Sequence, residues 1–180
     1  LDRSAEKIPA GSGGVVFLPY MAGERSPIWD ENAKGVFYGL DFSKSREHML
    51  RAGLEGVAFS LRHNLDIAER AGASVSVLRS IGGAANSRLW TQMKADVTGK
   101  RIAVPSSDTA TTLGAAILAG VGVSLYRSFE EAVERTVSVK REYLPNPELA
   151  PVYEKNYEIY LELYRQLKPV MAAGKKESER

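Results

Sequence analysis

Between Ser45 and Ala71 the apolar residues Leu50, Leu54, Val57, Leu61, Leu65 and Ala68 recur at steps of four, three, four, four and three. Only a helix places such positions on one face, and at 1.5 Å rise per residue this one runs for about seven turns. A chain that must cover so long a helix has few ways to fold. Gly53 and Gly56 lie inside the periodic stretch, where each costs about 1 kcal/mol relative to alanine. Close packing against a sheet or another helix is the expected compensation. Gly72 then supplies a stop signal.

The segments on either side decide what the helix packs against. "GVVFLPY" (14–20) is too uniformly apolar for a half-exposed edge and reads as a strand covered on both faces. "GVFYGLDF" (35–42) reads as a second strand, and the intervening "MAGERSPIWDENAK" as a loop of functional length. "VSVLRSI" is a short strand, "NSRLWTQMKADVTGK" a helix with a polar cap closed by Gly99, and "KRIAVP" (100–105) a third covered strand. "DTATTLGAAILAGVGV" reads as a helix whose Gly114, Ala115, Ala116, Ala119 and Gly120 expect something large lying flat against them. "SFEEAVERTV" (128–137) has a serine cap with acids in its first turn, and "EYLPNPEL" is a turn-rich connector. The last helix, about 148–172, carries Tyr153, Tyr157, Tyr160, Tyr164, Leu167 and Met171 on one stripe. That spacing suits a terminal helix packed over the domain better than a ligand platform. Strands first, then alternating helix and strand, predict an α/β domain with a mixed sheet flanked by helices.

Composition narrows the function. Twenty-four basic against 22 acidic residues give a formal net charge of +2, and the bases are scattered, which argues against nucleic-acid binding. Lys175 and Lys176 belong to a polar tail, 175–180. The absence of cysteine excludes disulfides and thiolate metal sites and favours a cytoplasmic location. His48 and His63 have no zinc-ligand spacing, and no apolar run approaches membrane-span length. No metal site is expected within the chain. A start at Leu1 without methionine reads as a cut from a longer protein.

One junction stands out. In "SIGGAANSRLW" (80–90) Gly82 and Gly83 separate a strand from a helix start. Removing Cβ there lets something approach the backbone closely, and helix-start N–H groups suit an anion. A phosphate and a packed protein segment both satisfy that description. The stretch lacks the third glycine of the dinucleotide fingerprint and the Gly-Lys-Ser/Thr of a P-loop. No hydrolytic triad or carboxylate pair is evident. Glu24 and Arg25 read as a surface ion pair or a loop-fixing contact, without a site role.

"FLPYMAGERSPIWDENAKGVFYGLDF", followed by "RAGLEGVAFSLRHNL", resembles the C-terminal domain of the FGGY family of carbohydrate kinases. "GGAANSRLWTQMKADVTGKRIAVP" with "LGAAILAG" is similar to that family's adenosine-contacting segment, and "YLPNPELAPVYEKNYEIYLELY" continues the likeness. The family pattern G-x-F-x-G-L, seven residues, His, and onward to a glutamate fits Gly35–Glu55, with Gly53 standing where a slightly larger residue is usual. Among subfamilies, "LPYMAGERSP" with "GGAANSRLW" most resembles xylulokinases.

The resemblance implies an actin-like (ribonuclease H-like) ATPase domain, residues 1–174, of a two-domain sugar kinase whose N-terminal sugar-binding domain is absent. It implies ATP and Mg2+ as cofactors, ATP/ADP and a sugar as partners, and a homodimer as an option. The sugar would be D-xylulose, with glycerol, gluconate or ribulose as alternatives; a non-catalytic actin-like nucleotide-binding module is the other class. Gly82, Gly83 and Ala84 would line the adenosine and α-phosphate side, and Asn86 and Ser87 would reach the ribose or adenine. The small face of the "LGAAILAG" helix would pack behind this floor. The catalytic aspartate of the family would lie outside the chain, leaving no catalytic residue within it.

Overall fold

A short helix, α1 (Asp2–Ala5), leads into a 3-10 turn, Ser12–Gly14, whose entry is unusual. Gly11, Ser12, Gly13 and Gly14 all have positive φ (85°, 51°, 58° and 86°), a conformation that favours glycine. The turn delivers strand β1 (Val16–Pro19), which pairs antiparallel with β2 (Gly35–Tyr38) in the register Val16↔Tyr38 to Pro19↔Gly35. This is a computed structural model, and it describes residues 1–107 and 109–178, with the side chains of 175–178 excluded. The polar tail 175–180 therefore lies outside the described residues in its side chains.

Helix α2 (Arg46–Arg70) begins at Ser45 with a capping box: the Ser45 backbone N–H donates to His48 Nδ1 at 3.1 Å. It ends at Ala71, and Gly72 follows at φ 96°. Next come β3 (Val77–Arg79), a 3-10 turn (Gly83–Asn86), α3 (Arg88–Thr98) and β4 (Arg101–Pro105). Then follow α4 (Ala110–Gly122), α5 (Phe129–Thr136), β5 (Val139–Tyr143), a 3-10 turn at Pro147–Leu149 and α6 (Ala150–Ser178). The first residue of the stretch read as the alanine-rich helix, Asp108, lies outside the described residues. β3 runs parallel to β4 and β4 antiparallel to β5, so the three-stranded sheet is mixed while β1–β2 forms a sheet of its own. Among the described residues no helix is long and apolar enough to cross a membrane.

The core lies where β1, α2, α3 and α6 meet. Val16, Leu18, Tyr20, Phe59, Met93, Tyr153, Tyr157 and Tyr160 are buried together there. Gly56 is the close contact the sequence asks for: a Cβ on it would collide with the carbonyl oxygen of Phe17 on β1. Gly53 is not, since a Cβ there meets nothing within 4 Å. The tyrosine stripe packs inward as expected, with Phe59 ringed by Tyr153, Tyr157 and Tyr160 at centroid distances of 6.3, 6.0 and 5.7 Å.

Three sequence expectations need correction. The leucine stripe of α2 is only part of its buried face: Leu54 and Leu65 are buried but Val57 is 39% exposed, while Arg51, Ala52, Glu55, Ala58 and Phe59 are buried beside it. Two charges can occupy that face because they neutralise and hydrogen-bond each other. The small face of α4 has no large partner among the described residues, for Ala115, Ala116 and Ala119 are exposed. Only Gly120 is pressed, with a Cβ position 2.7 Å from the Tyr126 ring. Small side chains permit close packing but do not supply the surface to pack on. Finally, the connector expected at "EYLPNPEL" begins too early: Glu142 and Tyr143 belong to β5, whose Val139, Arg141 and Tyr143 alternate with Lys140 and Glu142 in the period-two pattern of an edge strand.

Candidate functional site

The strand-to-helix corner after β3 is built from backbone. The N–H of Ser80 donates to Ala103 O at 2.9 Å, continuing the β3–β4 pairing one residue past the strand. Ile81, Gly82, Gly83 and Ala84 then cross open space and are all exposed. Gly82 has φ 81° and ψ −176°, a conformation that excludes residues with a Cβ. Gly83 has no such requirement, and a Cβ on it would meet nothing within 4 Å. Neither backbone strain nor a packed protein neighbour explains its lack of a side chain.

The far side of the corner is firmly held. Ala85 is buried, its N–H donating to Gly82 O at 3.0 Å and its carbonyl accepting from Arg141 Nη2 at 2.9 Å. Ser87 is the N-cap of α3: its Oγ accepts from the N–H of Trp90 at 3.0 Å, and its carbonyl accepts from Thr91 Oγ1 at 2.7 Å. That cap satisfies one of the free donors of the first helical turn. Trp90 in turn donates Nε1–H to Leu54 O at 3.1 Å, fastening α3 to α2. The Lys94 ammonium sits 4.5 Å from the Trp90 ring centre, and burial pushes its pKa down. The structure thus brings Gly82, Gly83, Ala84 and Asn86 to one exposed ledge, while Ser87 is turned to its capping bond.

A concavity of 620 Å3 lies elsewhere, in the β1–β2 loop among Gly23, Glu24, Arg25, Trp29 and Asp30. Glu24 Oε1 accepts from the backbone N–H of Arg25 at 2.8 Å, and Glu24 and Asp30 exchange backbone bonds of 2.9 Å. Glu24 is accordingly a loop-fixing residue. Asn64 donates to Ser26 O at 3.2 Å and Tyr164 OH to Asp30 Oδ2 at 2.8 Å, so α2 and α6 both anchor this loop. No sequence pattern announced those anchors, because they join residues 38 and 134 positions apart.

Residues 1–123 match the model of the FGGY family of carbohydrate kinases, C-terminal domain. The chain belongs to this family. It is 33% identical over 175 residues to the xylulose kinase of Bacillus subtilis, covering 97% of this chain and 35% of that protein. It is 36% identical over 168 residues to the gluconokinase of Bacillus licheniformis, covering 93% of this chain and 33% of that one. The crystal structure of ligand-bound xylulose kinase from Lactobacillus acidophilus superposes with a TM-score of 0.85 at 31% identity, over 92% of this chain and 34% of that chain. This FGGY chain therefore spans about a third of the length of the relatives it matches. Its mixed α/β architecture is the actin-like ATPase fold of those kinases. The family match stops before α5, so β5, α6 and Arg141 lie beyond it.

Proposed function

We propose that this chain is the nucleotide-binding C-terminal domain, residues 1–174, of a cytoplasmic sugar kinase that transfers the γ-phosphate of ATP to a sugar hydroxyl. The observation that carries this reading is Gly83: it has ordinary backbone angles and empty space where a side chain would be. An exposed ledge of Gly82, Gly83 and Ala84, with Asn86 beside it, offers a flat backbone surface for an adenosine and its α-phosphate. Ser87 contributes through the cap that sets the direction of α3, and its side chain would reach a ribose only by leaving that cap.

Phosphoryl transfer needs alignment and charge stabilisation more than covalent help from the protein. The part of this chain is alignment of the nucleotide. Among the described residues no three His, Asp or Glu side chains cluster to hold a metal ion. These residues do not by themselves make a Mg2+ site, and the role proposed for the chain contains no metal step.

D-xylulose is the first candidate sugar, because xylulose kinases of several organisms are similar to this chain. Gluconate is the second, on the 36% identity with a gluconokinase, and glycerol the third, on 38% identity with the glycerol kinase of Clostridium beijerinckii. The test is ADP release with each sugar, from the 180-residue chain and from a polypeptide joining it to a sugar-binding domain. Release is expected with D-xylulose from the joined protein and from none of the sugars with the chain alone. Nucleotide binding without turnover on any sugar would favour a non-catalytic actin-like module.

A further inference from the structure

The exposed ledge is suspended between two fastenings, and only one of them belongs to a sheet. At its start, Ser80 is tied by a backbone bond to Ala103 on β4. At its end, the tie is a side chain: Arg141 on β5 donates from Nη2 to Ala85 O at 2.9 Å. Arg141 stands opposite Val104 in the β4–β5 register, so the central strand sets the position from which it reaches. The last carbonyls of a helical turn have no partner within it, and the turn Gly83–Asn86 ends just before the extended Ser87. Arg141 supplies the partner that Ala85 lacks.

The other face of this arginine argues that the contact is not ordinary strand stabilisation. Its Nε–H is buried without a hydrogen-bond partner among the described residues. Leaving a charged donor unpaired is costly, and an arginine on an exposed edge strand could satisfy all its donors with water. Lys140 and Glu142, its neighbours on β5, do lie exposed.

We propose that Arg141 is a positioning residue for the nucleotide, holding the Gly82–Ala84 ledge through Ala85; the proposal rests on the nucleotide-binding reading of that ledge. It acts through the backbone and touches no reacting atom. Its loss lets the ledge sample other conformations, and the binding-competent fraction falls with it.

Two measurements test this. In the 180-residue chain, amide hydrogen exchange is compared between the unaltered protein, Arg141→Met and Glu142→Gln. Loss of a hydrogen bond to a charged donor should speed exchange roughly tenfold in Arg141→Met at Ala85 and Ser87, whose N–H groups donate to Gly82 O and Ala84 O, with α2 amides unchanged. Equal acceleration in α2, or none at Ala85 and Ser87, overturns the proposal. In the joined kinase, Arg141→Met should raise the ATP KM roughly tenfold. Its kcat and sugar KM should stay within about twofold. Arg141→Lys, which keeps one donor, should recover most of the loss, and Glu142→Gln should match the unaltered enzyme. An unchanged ATP KM in Arg141→Met, beside a raised one in Gly83→Val, overturns the role of Arg141 alone. An unchanged ATP KM in Gly83→Val overturns the nucleotide reading itself, and the exchange data then decide whether Arg141 holds the turn.

Discussion

Arg51 and Glu55, one turn apart on α2, form an ion pair of 2.8 Å inside the protein, their side chains 9% and 1% exposed. Glu55 also accepts from the N–H of Gly11 at 3.0 Å and from Ser12 Oγ at 2.8 Å. Arg51 reaches Ile8 O at 2.8 Å and Tyr153 OH at 3.2 Å. The pair therefore clamps the left-handed turn Gly11–Gly14 between α2 and α6. Burial pushes the Glu55 carboxyl above the usual carboxylate range, although its three donors oppose that shift. Removing one partner of a buried pair leaves an uncompensated charge, typically at a cost of about 3–5 kcal/mol. Arg51→Met should cost that much in urea unfolding of the chain. Arg51→Met combined with Glu55→Leu should cost clearly less than the two single changes added together.

Tyr157 is a core residue and not a ligand platform. Its ring stacks on Tyr160 at 6.0 Å and 17°, its hydroxyl donates to Asp66 Oδ2 at 2.7 Å, and Arg62 lies 4.1 Å over its ring. Tyr157→Ala should destabilise the chain by about 3–5 kcal/mol, the usual loss for a large aromatic. A joined kinase carrying it should keep its ATP KM at temperatures where it stays folded. A stable variant with a much weaker ATP KM would put the stripe at the ligand.

Two glycines on one helix should respond oppositely. Gly53→Ala has open space and gains helix propensity, so it should stabilise the chain by up to about 1 kcal/mol. Gly56→Ala forces a methyl group onto the Phe17 carbonyl and should destabilise it, because backbone on a covered strand cannot easily move aside. Thermal melting of the two variants side by side is the check, and similar shifts would contradict the α2–β1 packing.

Alkali should unfold the chain through its tyrosines. Burial, opposed by the Tyr160 hydrogen bond, pushes Tyr20 up to about 12, and Tyr153, Tyr157 and Tyr160 are raised mainly by burial as well. An unfolded tyrosine ionises near pH 10. Above that pH the unfolded chain has released protons that the folded chain still holds, so stability falls as pH rises. It is complete below about pH 10 and declines through the Tyr20 value. Phenolate absorbance from these residues should appear together with loss of helical circular dichroism, and its appearance in a fully folded chain would contradict their burial.

Gly83→Val should weaken ATP binding to the joined kinase and leave sugar binding unchanged, as measured by calorimetry with each ligand. The expected loss is at least tenfold, since a branched side chain would stand on the ledge. Folding stability should change little, because no protein atom lies within 4 Å of the new Cβ. Unchanged ATP affinity would remove the ledge from the nucleotide site.

Local signals determined most elements of this protein, β5 excepted. Periodicity and caps were enough for α2, for an α3 start at Asn86 or Ser87, of which the fold uses Ser87, for the Ser128 start of α5 and for the closing Gly99, because each depends on residues within a few positions of one another. The family resemblance and the unusual Gly82–Gly83 pair were legible for the same reason. The tertiary structure decided which faces are buried and what holds the ledge. Arg51 and Glu55 look like surface charges in sequence, and burial becomes tolerable only when Gly11, Ser12 and Tyr153 arrive from 43 to 102 positions away. The exposure of the α4 small face and the reach of Arg141 across 56 positions to Ala85 were equally invisible. Propensity acts along the chain, whereas desolvation and hydrogen-bond satisfaction depend on which distant groups share a neighbourhood, and only the folded chain fixes that.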